Sequence, residues 1–185
     1  MNLALNTLVF LLTLTGMELF AWSAHKYIMH GWGWGWHRSH HQPRGGWFEK
    51  NDLYAVVFAG VAILLIALGN AGWGRLEWVG AGMTAYGFLY FLAHDGLVHQ
   101  RWPFRYVPRQ GYLKRLYQAH LMHHAVHDKH GCVSFGFLLA PSVTALKRQL
   151  HGLHGGPPRS DDAEADVEAA ATANRDEAAA SDRGN

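Results

Sequence analysis

The sequence predicts an all-α integral membrane protein, a bundle of about three transmembrane helices with a histidine-rich site for two metal ions on its cytoplasmic face. Two observations lead to this prediction. Long apolar runs alternate with blocks rich in histidine, arginine and tryptophan. The 185 residues include 14 histidines, five of which lie in the stretch HLMHHAVHDKHG, from His120 to Gly131.

The chain is long enough for one domain, which we assign to residues 1–154. Residues 155–185 are rich in Ala, Asp and Glu. They have too few large apolar side chains to offset the entropy of ordering, so we predict a disordered tail. The single cysteine, Cys132, excludes an internal disulfide. A lone thiol is more often a small packed apolar group than a ligand, so we leave it out of the site.

Residues 3–24 are mostly apolar and carry a single charged residue, Glu18. At about 1.5 Å per residue they form a helix of about 33 Å, enough to cross a bilayer core of about 30 Å. The segment lacks the basic start and the cleavage site of a signal peptide, so we expect it to be retained. Because a charge inside a span is costly, Glu18 is a functional candidate that is either protonated or paired within the bundle.

Two further apolar runs, residues 53–72 and 76–93, predict a second and a third span joined by a turn at residues 70–74. The polar block between the first two spans contains Trp32, Trp34 and Trp36. Tryptophans beside a span are typical of an interfacial aromatic belt, and we favour that interpretation over stacking on a substrate.

After the third span, residues 111–127 contain no proline and no glycine beyond the first position, which predicts a helix at the membrane surface. Residues 132–141, CVSFGFLLAP, are apolar but too short to cross a bilayer. They predict an interfacial or re-entrant element.

This topology brings both polar blocks to one face of the membrane. The basic residues that flank the two blocks are Lys26, Arg38, Arg44 and Lys50, then Arg101, Arg105, Arg109, Lys114 and Arg115, whereas the other face has Arg75. The positive-inside rule then predicts that the histidine face is cytoplasmic. The second basic set would also suit the docking of an acidic electron donor, with contact to lipid headgroups as the alternative.

Ten histidines form four groups with two spacings. The HxxxxH pairs are His25 with His30 and His94 with His99, and the HxxHH triplets are His37, His40, His41 and His120, His123, His124. On a regular helix an HxxHH triplet fits within an arc of about 100°, so one face can present three imidazoles. Residues five apart lie about 140° apart, so the HxxxxH pairs need a frayed helix end or serve two different metals.

Ten imidazoles exceed the coordination number of one ion, which favours two metals, and imidazole alone suits iron, zinc, copper or nickel. We expect the carboxylates Glu49, Asp52, Asp95 and Asp128 to accept the remaining N–H groups of the ligands. His127 stays open between ligand, supporting and spectator roles, whereas His130, His151 and His154 are interpreted as surface residues. A nonspecific histidine-rich tract is the alternative for the whole set.

The motifs HKYIMHG, HRSHHQPR, FEKNDLYAVVFA, FLAHDGLVHQRWPF and LYQAHLMHHAVHDKHGCVSFGFLLAP run from about His25 to Leu139. In these stretches the chain resembles the fatty acid hydroxylase superfamily of membrane di-iron enzymes and, within it, the bacterial β-carotene hydroxylases. The resemblance implies that the metal ligands are His25, His30, His37, His40, His41, His94, His99, His120, His123 and His124. It also implies a bacterial inner-membrane location.

The activity implied by the resemblance is O2-dependent hydroxylation at C3 of β-ionone rings, from β-carotene through β-cryptoxanthin to zeaxanthin. The implied cofactors are two non-haem irons, with electrons from a reduced ferredoxin-type donor, and we expect no nucleic-acid partner. A redox-active metal is needed because the C–H bond is unactivated. Residues 132–141 with Phe88, Tyr90 and Phe91 are expected to line the path of the carotenoid from the bilayer.

Three alternatives remain at this stage. One is a di-iron hydroxylase, desaturase or ketolase of another membrane lipid. The second is a metal transporter, which would be expected to carry ionisable residues near the midplane of its spans, where this chain has Glu18 alone before residue 94. The third is a histidine-rich metal-binding or storage membrane protein.

Overall fold

The computed structural model describes residues 2–42, 48–103 and 106–154, and their regular secondary structure is helical, with no strand among them. The α-helices are α1 (Leu3–Ser23), α2 (Trp34–His37), α3 (Asp52–Asn70), α4 (Leu76–Tyr90), α5 (Gly111–His124) and α6 (Val143–Leu153). Two π-helical segments, Ala24–Trp32 and Phe91–Val98, continue α1 and α4, and a 3-10 turn, Arg38–His41, follows α2. The predicted all-α class is confirmed. The predicted tail, 155–185, lies outside the described residues, as do Arg44 and Arg105.

Two helical stretches in the described part of the chain are long and apolar enough to cross a membrane. They are Leu3–Trp32 and Asp52–Asn70, with mean hydropathies of 1.7 and 2.3. The third predicted span begins at the expected residue, Leu76, and α4 with its π-helical continuation reaches Val98. It does not meet the same criterion, so the third crossing stays a prediction.

Helix α4 contacts both α1 and α3, and glycines make the close approach possible. A Cβ atom on Gly80 would lie 2.6 Å from the carbonyl oxygen of Ala62 in α3. A Cβ atom on Gly82 would lie 2.8 Å from Cβ of Thr13 and 2.9 Å from the carbonyl oxygen of Phe10, both in α1. Small residues at such crossings let membrane helices pack backbone to backbone.

The C-terminal part differs from the prediction at two places. Helix α5 ends at His124, three residues before the predicted end. Helix α6 was not predicted; Ser142 caps it, its side chain accepting from the backbone N–H of Ala145 at 3.3 Å. Leu146 of α6 is fully buried and packs with Ala119 of α5 and Val133. This small core joins α5 and α6 to the segment 132–141.

Residues 132–141 form no helix and lie against the bundle, as expected for a short apolar element that does not span. The backbone N–H groups of Phe137, Leu138 and Leu139 donate to one carboxylate oxygen of Glu18, at 3.0, 2.9 and 2.9 Å. The other oxygen accepts from the hydroxyl of Tyr86 at 2.6 Å. Of the two alternatives for Glu18, the structure therefore supports pairing within the bundle.

Candidate metal centre

Both HxxxxH pairs lie at π-helical turns, which explains their five-residue spacing. His25 and His30 lie in the segment that continues α1, and His94 and His99 in and directly after the one that continues α4. Hydrogen bonds from residue i+5 to residue i place side chains five apart on the same face, as with the N–H of His99 and the carbonyl of His94 at 2.9 Å. In place of the frayed helix end that we expected, each pair therefore lies at a π-helical turn, and in the first segment the backbone kinks at Gly31, directly after His30.

The ten predicted histidines form two groups whose Nε2 atoms converge. Cluster A comprises His25, His30, His37, His41 and His123, and cluster B comprises His40, His94, His99, His120 and His124. Within cluster A the neighbouring Nε2 atoms are 3.1–3.2 Å apart. Within cluster B they are 2.9–3.1 Å apart. The structure therefore brings all ten together, and both members of each HxxxxH pair lie in the same cluster.

The two HxxHH triplets divide between the clusters in the same way. In each triplet the first and last histidines, four residues apart, belong to one cluster, and the middle histidine belongs to the other. His37 and His41 thus lie in cluster A with His123, the middle member of the second triplet. The face of about 100° that the spacing predicts is present, but it serves two sites rather than one.

In seven of the ten imidazoles Nδ1 faces an oxygen acceptor, which determines the position of the proton. The acceptors in cluster A are the backbone carbonyls of Phe135 for His25, Lys129 for His30, Val126 for His41 and Val133 for His123, each at 2.9 Å, and Oδ1 of Asn51 for His37 at 2.7 Å. In cluster B, Glu49 accepts from His40 and Asp95 accepts from His94, both at 3.0 Å. Nδ1 carries the hydrogen in each case, so the neutral ring has a bare Nε2.

Burial keeps the rings neutral. Desolvation lowers the pKa of His37 to about 3 and that of His41 to about 4. Desolvation, followed by the neighbouring histidines, also lowers the pKa values of His40, His120 and His124. These imidazoles are therefore neutral at pH 7, which is the form that binds metals.

Bare nitrogens that face each other at about 3 Å repel unless a cation lies between them. For metal–nitrogen bonds of about 2.0–2.1 Å, ligands about 90–109° apart have nitrogens about 2.8–3.4 Å apart. The separations in both clusters, 2.9–3.2 Å, fall in this range. The donor sets therefore fit one transition-metal ion each.

A charged network supports cluster B. Arg101 donates to both oxygens of Asp52 at 2.8 Å and to Asp95 at 3.4 Å. Asp52 in turn accepts from the backbone N–H of Glu49 at 2.9 Å. Two of the four predicted carboxylates, Glu49 and Asp95, thus bond histidines, and Asp52 orients them through Arg101 and the Glu49 backbone.

Five other positions considered from the sequence contribute no side-chain nitrogen or oxygen atom to either cluster. Asp128 is exposed, and its backbone carbonyl accepts from the Cys132 thiol at 3.5 Å, so the supporting role expected for its carboxylate is not seen. His127 and His130 are exposed, beyond the end of α5. His154 is also exposed, and His151 is half-buried on α6.

Cys132 and Trp34 lie closer to cluster A than the sequence suggested. The sulfur of Cys132 is within 4.8 Å of ring nitrogens of His30, His41 and His123. Burial raises the pKa of its thiol to about 11, so it stays protonated and donates to backbone carbonyls. Trp34 packs on His30 at 5.2 Å, unlike Trp32, which is 83% exposed as expected of a belt residue.

An apolar cavity of about 430 Å³ lies beside the clusters, between α1, α3 and α4. Its walls include Met17, Ala21, Phe58, Ala59, Ala62, Met83, Gly87 and Phe91, and its polar end has Asn51, Asp52 and Asp95. Tyr90 and Phe137 also line it, and they stack on His94 and His25 at 4.5 and 4.9 Å. The cavity thus ends against groups that contact both clusters. Of the predicted lining residues, Tyr90, Phe91 and Phe137 line the cavity, whereas the exposed Phe88 and the other residues of 132–141 do not.

Two supporting residues were missed or misassigned. Asn51 precedes α3, where an asparagine suggests a helix cap, but its side chain bonds His37 instead. Arg101 was grouped with an exposed docking surface, whereas its side chain is 14% exposed and ion-paired. The carbonyl acceptors of residues 126–135 have no signal in the sequence, because every residue carries such a group.

Comparisons with known proteins place these features in a family context. The fatty acid hydroxylase family model matches residues 10–141. A "Beta-carotene hydroxylase" of Pantoea ananas is 66% identical over 157 residues, which are 83% of this chain and 90% of that protein. One of Pseudescherichia vulneris is 62% identical over 84% of this chain and 89% of its own length. A "Beta-carotene 3-hydroxylase 1, chloroplastic" of Arabidopsis thaliana is 42% identical over 68% of this chain and 41% of its own length. No solved structure matches the chain.

Proposed function

Because the chain belongs to the fatty acid hydroxylase family, among its β-carotene hydroxylases, we propose that it hydroxylates the β-ionone rings of carotenoids at C3. The product series would be β-cryptoxanthin and then zeaxanthin from β-carotene. One observation carries the proposal: two clusters of five imidazoles, with converging Nε2 atoms, border an apolar cavity.

The proposed cofactor is a pair of non-haem iron ions, one held by cluster A and one by cluster B. Bound iron would supply the redox chemistry that an unactivated C–H bond requires, which zinc cannot supply. The ten histidines would provide nitrogen ligands, and the carbonyls, Asn51, Glu49 and Asp95 hold seven of the rings in the tautomer that binds metal. The family and the two sets of donor atoms support metal binding by these residues.

Each hydroxylation consumes one O2, two electrons and two protons. One oxygen atom enters the C–H bond as a hydroxyl group and the other leaves as water. The electrons come from outside the chain, and we propose a reduced ferredoxin-type protein as their source. Ring hydroxylation at both ends of β-carotene then requires two such cycles.

The cavity has the size and polarity expected of a site for one carotenoid end. Its volume of about 430 Å³ falls in the range typical of small-molecule pockets, about 300–1,000 Å³. Ile63 and Phe91 line the cavity and are 67% and 47% exposed, on helix surfaces that would face lipid. A ring can therefore enter sideways from the bilayer, with its polyene trailing into the lipid.

Residues of the chain orient the ring and exclude water. Apolar side chains such as Phe58, Ala62 and Met83 remove water from the hydrocarbon. Tyr90 and Phe137 stand between the cavity and the imidazoles, so they limit how deeply the ring can enter. This packing favours one orientation of the ring edge toward the metals.

We also propose that the clusters face the cytoplasm of a bacterial inner membrane. The exposed cations Arg109, Lys114 and Arg115 lie in the second polar block, on the same side of the predicted topology as the histidines. They would attract an acidic electron donor from water, while the substrate arrives from lipid.

The test is pigment analysis of a β-carotene-accumulating host that expresses the chain. New carotenoids hydroxylated at C3 support the proposal. Keto groups or new double bonds instead would identify a ketolase or desaturase, and unchanged pigment beside a changed lipid would identify another membrane substrate. A variant with His120, His123 and His124 each replaced by alanine is the control, since its loss of ligands from both clusters must abolish any product.

A further inference from the structure

Glu18 places a carboxylate deep in the first span, and both of its oxygens are engaged. Oε1 accepts from the three successive backbone N–H groups of Phe137, Leu138 and Leu139. Oε2 accepts from the hydroxyl of Tyr86. An ionised group at this depth is costly unless hydrogen bonds offset the lost solvation. Four donors converging on Glu18 supply that compensation.

The same hydrogen bonds provide an acceptor for backbone N–H groups in the non-helical segment 132–141. Residues 132–141 form no helix, so their amide groups lack the partners that helical residues have. Inside a membrane protein such groups need acceptors from elsewhere in the fold. Oε1 of Glu18 accepts from three consecutive N–H groups, so it fixes the position of residues 137–139. The arrangement resembles an anion bound in a nest of backbone N–H groups.

The opposite side of this segment is bonded to the metal site. The carbonyls of Val133 and Phe135 accept from His123 and His25. Between them Ser134 has a φ of 59°, a left-handed conformation that L-residues rarely adopt. Residues 133–139 therefore span the gap between Glu18 and cluster A, with hydrogen bonds at both ends.

Phe137 is the side chain that this arrangement positions. Its ring stacks on His25 at 4.9 Å, meets Tyr90 edge-on at 4.7 Å and lies 5.5 Å from His94. It therefore touches both clusters while it lines the cavity. A shift of residues 137–139 would move this ring and change how far a substrate can advance.

We propose that Glu18 is a positioning residue for the hydroxylation: its carboxylate holds Phe137 as the partition between cavity and histidines, and so sets which substrate carbon meets the metal site. Glu18 acts through Phe137 and Tyr86, which line the cavity. The inference rests on the proposed function, because it assumes that the cavity holds the substrate.

The experiment compares Glu18→Gln and Glu18→Ala with the unaltered protein, loaded with iron in detergent or nanodiscs. The matched control is Glu77→Gln, at the opposite end of the bundle, where Oε2 is buried with no hydrogen-bond partner among the described residues. Three quantities are measured: amide hydrogen exchange in residues 135–141, iron per chain, and hydroxylated carotenoid formed per donor oxidised, with the position of each hydroxyl.

In Glu18→Ala we expect exchange at residues 137–139 to rise about tenfold or more, while exchange in α5 stays unchanged. Product per donor oxidised should fall about tenfold at unchanged iron content, and hydroxyls should appear at carbons other than C3. Glu18→Gln keeps an oxygen for the three amides, so the amount of product formed per donor oxidised should return to near that of the unaltered protein. Glu77→Gln should match the unaltered protein.

Two results would overturn the proposal. The first is that both Glu18→Ala and Glu18→Gln form as much product per donor oxidised as the unaltered protein, all of it hydroxylated at C3. The second is that product per donor oxidised falls only in proportion to the iron lost. If Glu18→Ala is not recovered from membranes, Glu18→Asp decides, because its side chain is one methylene shorter and withdraws the oxygen from the three amides. Amide exchange and selectivity equal to the unaltered protein in Glu18→Asp would reject the role. Failure of the proposed function is distinguishable: the unaltered protein would then form no hydroxylated carotenoid, whereas the exchange measurement still reports on the Glu18 contacts.

Discussion

His40 and His41 are adjacent in the chain, yet their imidazoles belong to different clusters. Nε2 of His40 lies 3.0 Å from Nε2 of His94, whereas Nε2 of His41 lies 3.2 Å from Nε2 of His37. Successive residues of a helical turn point about 100° apart, so two metals on neighbouring sides of the turn can each receive one ring. Each HxxHH motif therefore contributes imidazoles to both clusters.

This division predicts which pairs of substitutions act together. His30→Ala with His41→Ala removes two ligands of cluster A and should leave about one metal ion per chain. His40→Ala with His41→Ala weakens both clusters and should leave fewer. Metal analysis of the purified variants by mass spectrometry checks the difference. The exposed His130→Ala is the control, with about two ions expected. Equal metal content in the two double variants would contradict the assignment.

The carboxylates beside cluster B predict an asymmetric loss of metal. Glu49→Gln and Asp95→Asn each remove a charged acceptor of an imidazole N–H, at His40 and His94. Such changes typically weaken metal binding about 10–100-fold. Chelator titration should therefore release one of the two ions earlier while cluster A keeps its own. Asp128→Asn is the matched control because that carboxylate is exposed; simultaneous release of both ions in Asp95→Asn would argue against separate sites.

The sequence was sufficient to predict two long apolar helices and to single out the ten histidines that lie together, because hydropathy and motif spacing act over short distances. That these histidines bind metal stays a prediction. It could not predict how His25 and His30 share a face, since no residue preference distinguishes a π-helical turn from an α-helical one. The division of the HxxHH triplets also depends on how distant segments meet. The carbonyl acceptors of residues 126–135 are visible only in three dimensions.

The cavity predicts that filling it blocks substrate without disturbing the metals. Gly87 lines the cavity, and a Cβ atom added there meets nothing within 4 Å. Gly87→Leu should therefore place its side chain in the cavity and lower product formation about tenfold or more. Metal content should be unchanged. Gly60→Leu is the matched control, since Gly60 in α3 has the same free space but lies outside the cavity lining. Equal activities of the two variants would exclude this cavity as the substrate site.

The contact of α4 with α1 predicts a stability effect at Gly82. A Cβ atom there would overlap Thr13 and the carbonyl oxygen of Phe10, so Gly82→Ala must push the helices apart. Overpacking of this kind costs about 1–3 kcal/mol. Thermal unfolding in detergent should show a lower midpoint than the unaltered protein. Gly16→Ala in α1 meets nothing within 4 Å and should be neutral or slightly stabilising; a similar loss in both variants would point to glycine flexibility instead.

The exposed cations predict how the electron donor binds. Lys114 and Arg115 are exposed at the start of α5, whereas Arg101 is committed to Asp52 and Asp95. Reversal of both exposed charges, Lys114→Glu with Arg115→Glu, should raise the KM for an acidic ferredoxin and flatten its dependence on salt, because attraction between exposed charges steers encounter. Turnover supported by a small chemical reductant should not change, since that donor needs no docking surface. If the KM for ferredoxin and its salt dependence are both unaffected, these cations serve topology and lipid contact rather than the donor.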